Sequence, residues 1–288
     1  MSAGFATLGG SSVIEHTKEV ERKIRANPRD AGQRLALCHL LAVRGDWQRA
    51  EDQLKRAAEI DAAFSPVSAA CSMALVGERH RSEFWGGGRA PILLLEAEEW
   101  IEQLIAAAAL PLALADEAAA LRESARQSAP AIHGTLCCAG HLDAHTVQTP
   151  YGENVEQHDF AWLCDGDARI GAVLELFTPA GYGWLPLSQV QRIRFSRPRH
   201  LVDLLWAPAE IKLRKSRSLN GLVPILYPGK LDGLDDMSAL GHRTEWRQLN
   251  GEDQYAGIGQ RTLISDSGDH SLRDIRLIEF ATDSEAAL

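Results

Sequence analysis

The run Gly181-Tyr-Gly-Trp-Leu-Pro-Leu-Ser-Gln-Val-Gln-Arg-Ile-Arg-Phe-Ser-Arg-Pro-Arg-His-Leu-Val-Asp-Leu-Leu-Trp-Ala-Pro-Ala-Glu-Ile-Lys-Leu-Arg214 decides the fold class. Tyr182 to Leu187 reads as a strand entered through a glycine turn. Arg192, Ile193, Arg194 and Phe195 alternate polar and apolar, as a half-buried strand does. After Pro198 the spacing changes: Leu201, Leu204 and Leu205 share one helical face, and Pro208 stops that short helix. Alternation resumes at Ile211 and Leu213. No nucleophile–base pair and no phosphate loop falls in the run, so it is built for surface and packing.

Outward from it, short strands continue to the end of the chain. Phe160–Cys164 and Ile170–Phe177 flank an Asp165-Gly166-Asp167 turn and read as a hairpin. Further strands are expected at Glu210–Arg214, Leu222–Tyr227, Arg243–Gln248, Gln260–Ser265 and Ile275–Phe280. Connections this short favour antiparallel pairing, with one or two helices covering a face.

Upstream the texture is alanine-rich helix. Ile14–Ala26 is a helix closed by Asn27-Pro28. Asp30 caps the next, with Gln33 in the box position, and Gly45 ends it. Asp46 caps a third, beginning at Trp47. Leu37, Leu41, Gly45, Asp46, Trp47, Ala50, Leu54 and Ala57 lie at tetratricopeptide spacing, which an ordinary helical hairpin would also show. Ser65 at the cap and Pro66 in the first turn open a helix to about Glu78, and Phe84-Trp85-Gly86-Gly87-Gly88 follows as a flexible corner. Helices at Ile92–Ala109 and Asp116–Ser128, the latter capped by Asp116, complete this half. The fold class is therefore α+β in two domains: an all-α tetratricopeptide-like superhelix over residues 1–129 and a mainly antiparallel α+β domain over 130–288.

The chain has 288 residues, a net charge of −9 and a pI near 5.6, a balance that opposes general nucleic-acid binding. Five scattered cysteines without a CxxC pair suit reduced thiols. The most hydrophobic stretch, Pro91–Ala115, carries Glu96, Glu98, Glu99 and Glu102, too many charges for a bilayer.

Several residues could carry chemistry. His141, Asp143, His145 and His158, with Cys137 and Cys138 upstream, are the best metal candidates. Adjacent cysteines in a strand face opposite ways and no helix fixes the histidine spacing, so no metal site is assigned. His200 and Asp203 could form an acid–base pair, but a capping role suits them better. Asp165 and Asp167 could hold a hard cation or simply form the hairpin turn. Gly257-Ile258-Gly259-Gln260-Arg261 is a fragment of a dinucleotide loop that leads into a strand, so its glycines serve a bulge or bend. No cofactor is expected.

The basic residues Arg192, Arg194, Arg197, Arg199, Lys212, Arg214, Lys215 and Arg217 face only Asp203 and Glu210 within their segment. Such a segment is either a solvated strand face or an electropositive patch for an acidic partner.

The order Trp-Leu-Pro at 184–186, Ile-Arg-Phe at 193–195 and Pro-Arg-His-Leu-Val-Asp-Leu-Leu-Trp-Ala-Pro-Ala at 198–209 resembles the C-terminal part of the ImpE family, also called TagJ or SciE. Val223-Pro224, Tyr227-Pro228, Gly241–Trp246, the Gly257–Arg261 run and Glu279-Phe280 keep step with it. The resemblance implies a cytosolic, non-enzymatic accessory protein of bacterial type VI secretion. Its implied partners are the N-terminal helix of the small sheath subunit and the AAA+ ATPase that disassembles contracted sheaths. Candidate partner-binding residues are the aromatics Phe84, Trp85 and Trp206 with Arg192, Arg194, Arg197, Arg199 and His200. The competing classes are a small metal-dependent or His/Asp hydrolase and a generic peptide-binding scaffold.

Overall fold

The structure is a computed structural model that describes residues 13–96, 98–139, 147–148, 152, 154–198, 201–215, 217–229 and 242–281. Six helices come first: α1 Val13–Ala26, α2 Ala31–Val43, α3 Trp47–Ile60, α4 Ser65–Trp85, α5 Glu99–Ala109 and α6 Ala115–Ser128. The Asp30 carboxylate accepts from the Gln33 N–H at 3.0 Å and opens α2. Gly45, at φ +72°, ends that helix, and Asp46 accepts from the Arg49 N–H to open α3. α2 and α3 thus form a tight hairpin whose inner face is Leu37, Leu41, Ala50, Leu54 and Ala57, all buried.

Four expectations about the helices are corrected. α4 does not end near Glu78 but runs to Trp85. Nothing in its sequence stops it before Gly86-Gly87-Gly88, where Gly87 takes φ +84° and the Gly88 N–H bonds the Glu83 carbonyl. Ser65 is its first residue rather than its cap. Ile92 and Leu93 are not helical: they form a short parallel strand, β1 Ile92–Leu93, and α5 starts only at Glu99. Asp116 sits in the first turn of α6 rather than capping it.

The strands that follow are β2 Gly134–Ala139, β3 Val147–Gln148, β4 Asn154–Phe160, β5 Leu163–Asp165, β6 Val173–Thr178, β7 Gly181–Pro186, β8 Val190–Phe195, β9 Trp206–Leu213, β10 Ser218–Pro224, β11 Thr244–Gln248, β12 Tyr255–Gly259, β13 Thr262–Ser265, β14 Gly268–Ser271 and β15 Ile275–Phe280. Among the described residues ten form one sheet in the order β1-β7-β6-β10-β9-β8-β15-β2-β4-β3. Every pairing in it is antiparallel except β1 with β7. A three-stranded sheet, β14-β13-β5, and a β11–β12 ribbon complete the chain. The architecture is α+β.

The strand register also differs from expectation in two places. Pro208 does not stop a helix; it lies inside β9, and Leu201–Leu204 is a single 3₁₀ turn. Its carbonyl accepts from the Ser196 N–H, on the side of β8, so its own nitrogen faces the same side. That is one step beyond the last β8–β9 pair, Phe195 with Ala209, so the missing donor falls where the ladder ends. Phe160–Cys164 and Ile170–Phe177 do not form a hairpin. β5 pairs instead with β13, because Asp165 and Asp167 are drawn inward by arginines described below.

β6 is buried along its whole length and separates two cores. Leu174 and Leu176 face a core of sheet residues that includes Leu185, Ile193, Ile211 and Ile278. Val173 and Phe177, on the other face, join Tyr182, Trp184 and the helical residues Leu41, Leu75 and Phe84 in one continuous core. α4 approaches this face closely at Gly77, where a Cβ would lie 2.4 Å from the Phe177 ring. Helices and sheet therefore share their packing along α4.

Candidate functional site

A cleft of about 290 Å³ opens where α3 and α4 meet the sheet. Trp47, Trp85, Trp206 and Tyr227 wall it, and Gly86, Pro228 and Gly229 form its rim. Each aromatic is there for a local reason. Trp47 is the first residue of the Asp46-capped helix, and Trp85 the last residue before the glycine triplet. Trp206 opens β9, directly after the 3₁₀ turn. The Trp47 and Trp206 rings stand 6.4 Å apart at 43°. On the far side of Trp206 lies a second, apolar hollow of about 270 Å³, lined by Pro66, Val67 and Ala70 of α4 with Val202, Pro208 and Leu222. Trp206 itself is only 3% exposed, and its indole N–H donates to Glu78 at 3.0 Å. It is a fixed partition between two hollows.

Charged groups form the floor of the cleft. Glu175, at 0% exposure in the middle of an apolar strand, accepts from Arg81 Nε at 3.0 Å and Nη2 at 2.7 Å. It also accepts from the Trp85 indole at 3.3 Å, from the Tyr182 hydroxyl and from Arg261. Arg81 reaches on to the Leu226 carbonyl at 2.9 Å and to Glu78 at 3.5 Å. Behind it Arg261 lies 3.4 Å from Asp165. Asp167 is held by Arg169 at 2.5 Å and by the Gly257 N–H at 3.0 Å. The Arg169 guanidinium in turn covers the Trp85 ring at 5.0 Å.

Burial sets the titration of these groups. Desolvation pushes the Asp165 carboxyl up to about 6 despite Arg261 beside it, and Arg261 itself down to about 10. Desolvation likewise raises the Tyr182 and Tyr227 hydroxyls, which stay protonated. The described lining of the cleft holds neither histidine nor cysteine, and its carboxylate, Glu78, is engaged by the Trp206 indole and Arg81. Such a site suits an apolar side chain, with polar contacts at its floor, better than it suits nucleophilic chemistry.

The Gly257–Arg261 run is explained by this floor. Gly257 lies flat under Tyr227, where a Cβ would come 2.1 Å from the ring, and Gly259 takes φ +83°. Arg261 then enters the buried network. Asp165 and Asp167 belong to the same network and not to a hairpin turn or an exposed cation site.

Of the residues singled out in sequence, Trp85 and Trp206 line the cleft, but Phe84 does not. It is 2% exposed and packs edge-on against Trp184 at 5.4 Å, a core residue on the opposite side of α4 from solvent. Arg192 and Arg194 point outward from β8 while Ile193 and Phe195 point into the core. Arg194 pairs with Glu210 at 3.2 Å, and Arg192 lies in register with Glu279 and Lys212. Arg214 donates to the Ser188 and Ala281 carbonyls. Part of the basic segment's charge is thus matched within the sheet. Arg197 follows β8, away from the cleft lining. Arg199 and His200 lie outside the described residues, as do His141, Asp143 and His145. Asp203 lines the second hollow. Cys137 turns into a small apolar cluster with Val155 and Leu277, whereas Cys138 and His158 meet His270 on the opposite face.

Comparison with known proteins adds a family. The model of the family described as ImpE protein matches residues 157–279. The chain is 35% identical over 264 residues to the type VI secretion system accessory component TagJ of Pseudomonas aeruginosa, covering 91% of this chain and 85% of that one. The crystal structure of protein VPA1032 from Vibrio parahaemolyticus superposes with a TM-score of 0.79 at 21% identity, over 97% of both chains, and so shares the fold.

Proposed function

The chain belongs to the ImpE family, and from that premise we propose that it is an accessory component of a type VI secretion system, acting as a non-catalytic cytosolic adaptor. On this reading the α2–α3 pair is a single tetratricopeptide-like unit. The cleft beside it receives an amphipathic helix, the N-terminal segment of the small sheath subunit. One observation supports that placement: two hollows on either side of Trp206, both walled by α4. A helix laid along α4 would set apolar side chains into them, as helix-in-groove recognition requires. The indoles of Trp47 and Trp85 supply large rigid surface with polar edges, the residue type that dominates binding energy.

Calorimetric titration of the purified protein with a peptide covering that sheath segment tests the proposal. Binding near or below micromolar at one site per chain supports it. Absence of binding, with the disassembly ATPase binding instead, would replace the helix with the ATPase as the direct partner.

A further inference from the structure

Cys138 stands opposite Glu156 in the β2–β4 ladder, and His158 opposite Leu136. Cys138 and His158 are therefore diagonal neighbours on the same face of the large sheet, since side chains two apart in a strand share a face. His270 reaches the same place from another sheet: it lies on β14, paired with Leu263 of β13. Its ring centroid is 5.1 Å from that of His158. One ligand atom from each of the three residues lies within 4.8 Å of both others. A tetrahedral centre with bonds of about 2.0–2.3 Å sets its ligand atoms roughly 3.3–3.6 Å apart, so a small inward movement closes the triangle.

The surroundings favour a ligand set over a chance contact. His270 is 6% exposed, and its Nε2 is held by the Ser265 hydroxyl at 3.0 Å, with Ser267 at 3.3 Å. Outer contacts of this kind orient a ligating imidazole. Glu156, 4.0 Å from His158, stands beside the trio.

We propose that Cys138, His158 and His270 form a binding site for a thiophilic divalent cation of the zinc class, which pins the three-stranded β14-β13-β5 sheet to the face of the large sheet. One thiolate and two imidazoles select a borderline-soft ion over magnesium or calcium. Three protein ligands leave a fourth position for water or a further donor.

The test uses the full chain, freed of any affinity tag and treated with chelator. Cobalt(II) is titrated in and followed by absorption, and zinc by calorimetry. The expected result is one equivalent bound, with a thiolate-to-cobalt band in the near ultraviolet and a raised melting temperature. Cys138→Ser should abolish the band, and His158→Gln should weaken binding by at least about tenfold. His158 is partly exposed, with 34% of its side chain accessible. That variant should keep the metal-free melting temperature of the parent, which separates loss of a ligand from loss of the fold. No stoichiometric cobalt or zinc binding by the parent chain would overturn the proposal, as would binding left unchanged by both substitutions.

Discussion

Arg81 and Glu175 face each other across the join between helix and sheet, with two hydrogen bonds of 3.0 and 2.7 Å and side-chain exposures of 4% and 0%. One residue belongs to α4 and the other to β6, so the pair fixes how the helices sit on the sheet. Its geometry is the bidentate fork that makes arginine–carboxylate contacts directional. Removing the carboxylate alone leaves Arg81 and Arg261 facing each other in the interior. Glu175→Gln should therefore lower stability by about 3–5 kcal/mol. Urea unfolding measures it, and a loss under about 1 kcal/mol would show that water reaches the network.

The same network gives a pH dependence. Burial raises Asp165 from its ordinary 3.8 to about 6 in the fold. Between these values the folded state holds a proton that the unfolded chain has released. The protonated carboxyl therefore favours the fold at low pH, and that contribution is lost as pH rises from about 4 to about 6. Relative to Asp165→Asn, the parent should gain stability as pH falls through this window, by up to about 3 kcal/mol. Parallel stability curves for the two proteins would contradict the assignment.

Gly77 is where α4 touches the sheet most closely. Its substitution by alanine places a methyl 2.4 Å from the buried Phe177 ring, which has nowhere to turn. Gly77→Ala should cost about 1–3 kcal/mol through overpacking, although alanine is the better helix former. Thermal unfolding decides the sign: a stabilised variant would mean that α4 stands off the sheet.

Trp47 is only partly buried and packs on Trp206 across the cleft. Trp47→Ala should weaken peptide binding by at least about 2 kcal/mol, as expected for an aromatic anchor. Its effect on folding should fall below the about 3–5 kcal/mol of a fully buried aromatic. Calorimetry and denaturation on the same variant separate the two effects.

Capping and periodicity made much of this legible in the sequence. Asp30, Gly45 and Asp46 marked α2 and α3, and the alternation Arg192-Ile193-Arg194-Phe195 marked β8 with its correct faces. Ile92 and Leu93 read as helical because a two-residue strand has no period of its own. Its existence depends on β7, far away in the chain. The buried network was hidden for a similar reason. Glu175 within Val-Leu-Glu-Leu-Phe was the available signal, a lone charge in an otherwise apolar strand. Its partners Arg81 and Arg261 lie 94 and 86 residues away, and only the fold joins them. No spacing in the sequence links His270 to Cys138 or His158. Phe84 and Trp85, adjacent in sequence, end in different places because successive positions on a helix point about 100° apart.

We place the partner helix along α4, over Trp206, with an apolar side chain in the hollow on each side. Amide hydrogen exchange of the protein with and without the sheath-derived peptide locates that helix. New protection should appear in the last turns of α4 and at Leu226–Gly229. Protection confined to the outward face of β8 and β9, with the cleft unchanged, would contradict the claim and move the interface to the basic segment.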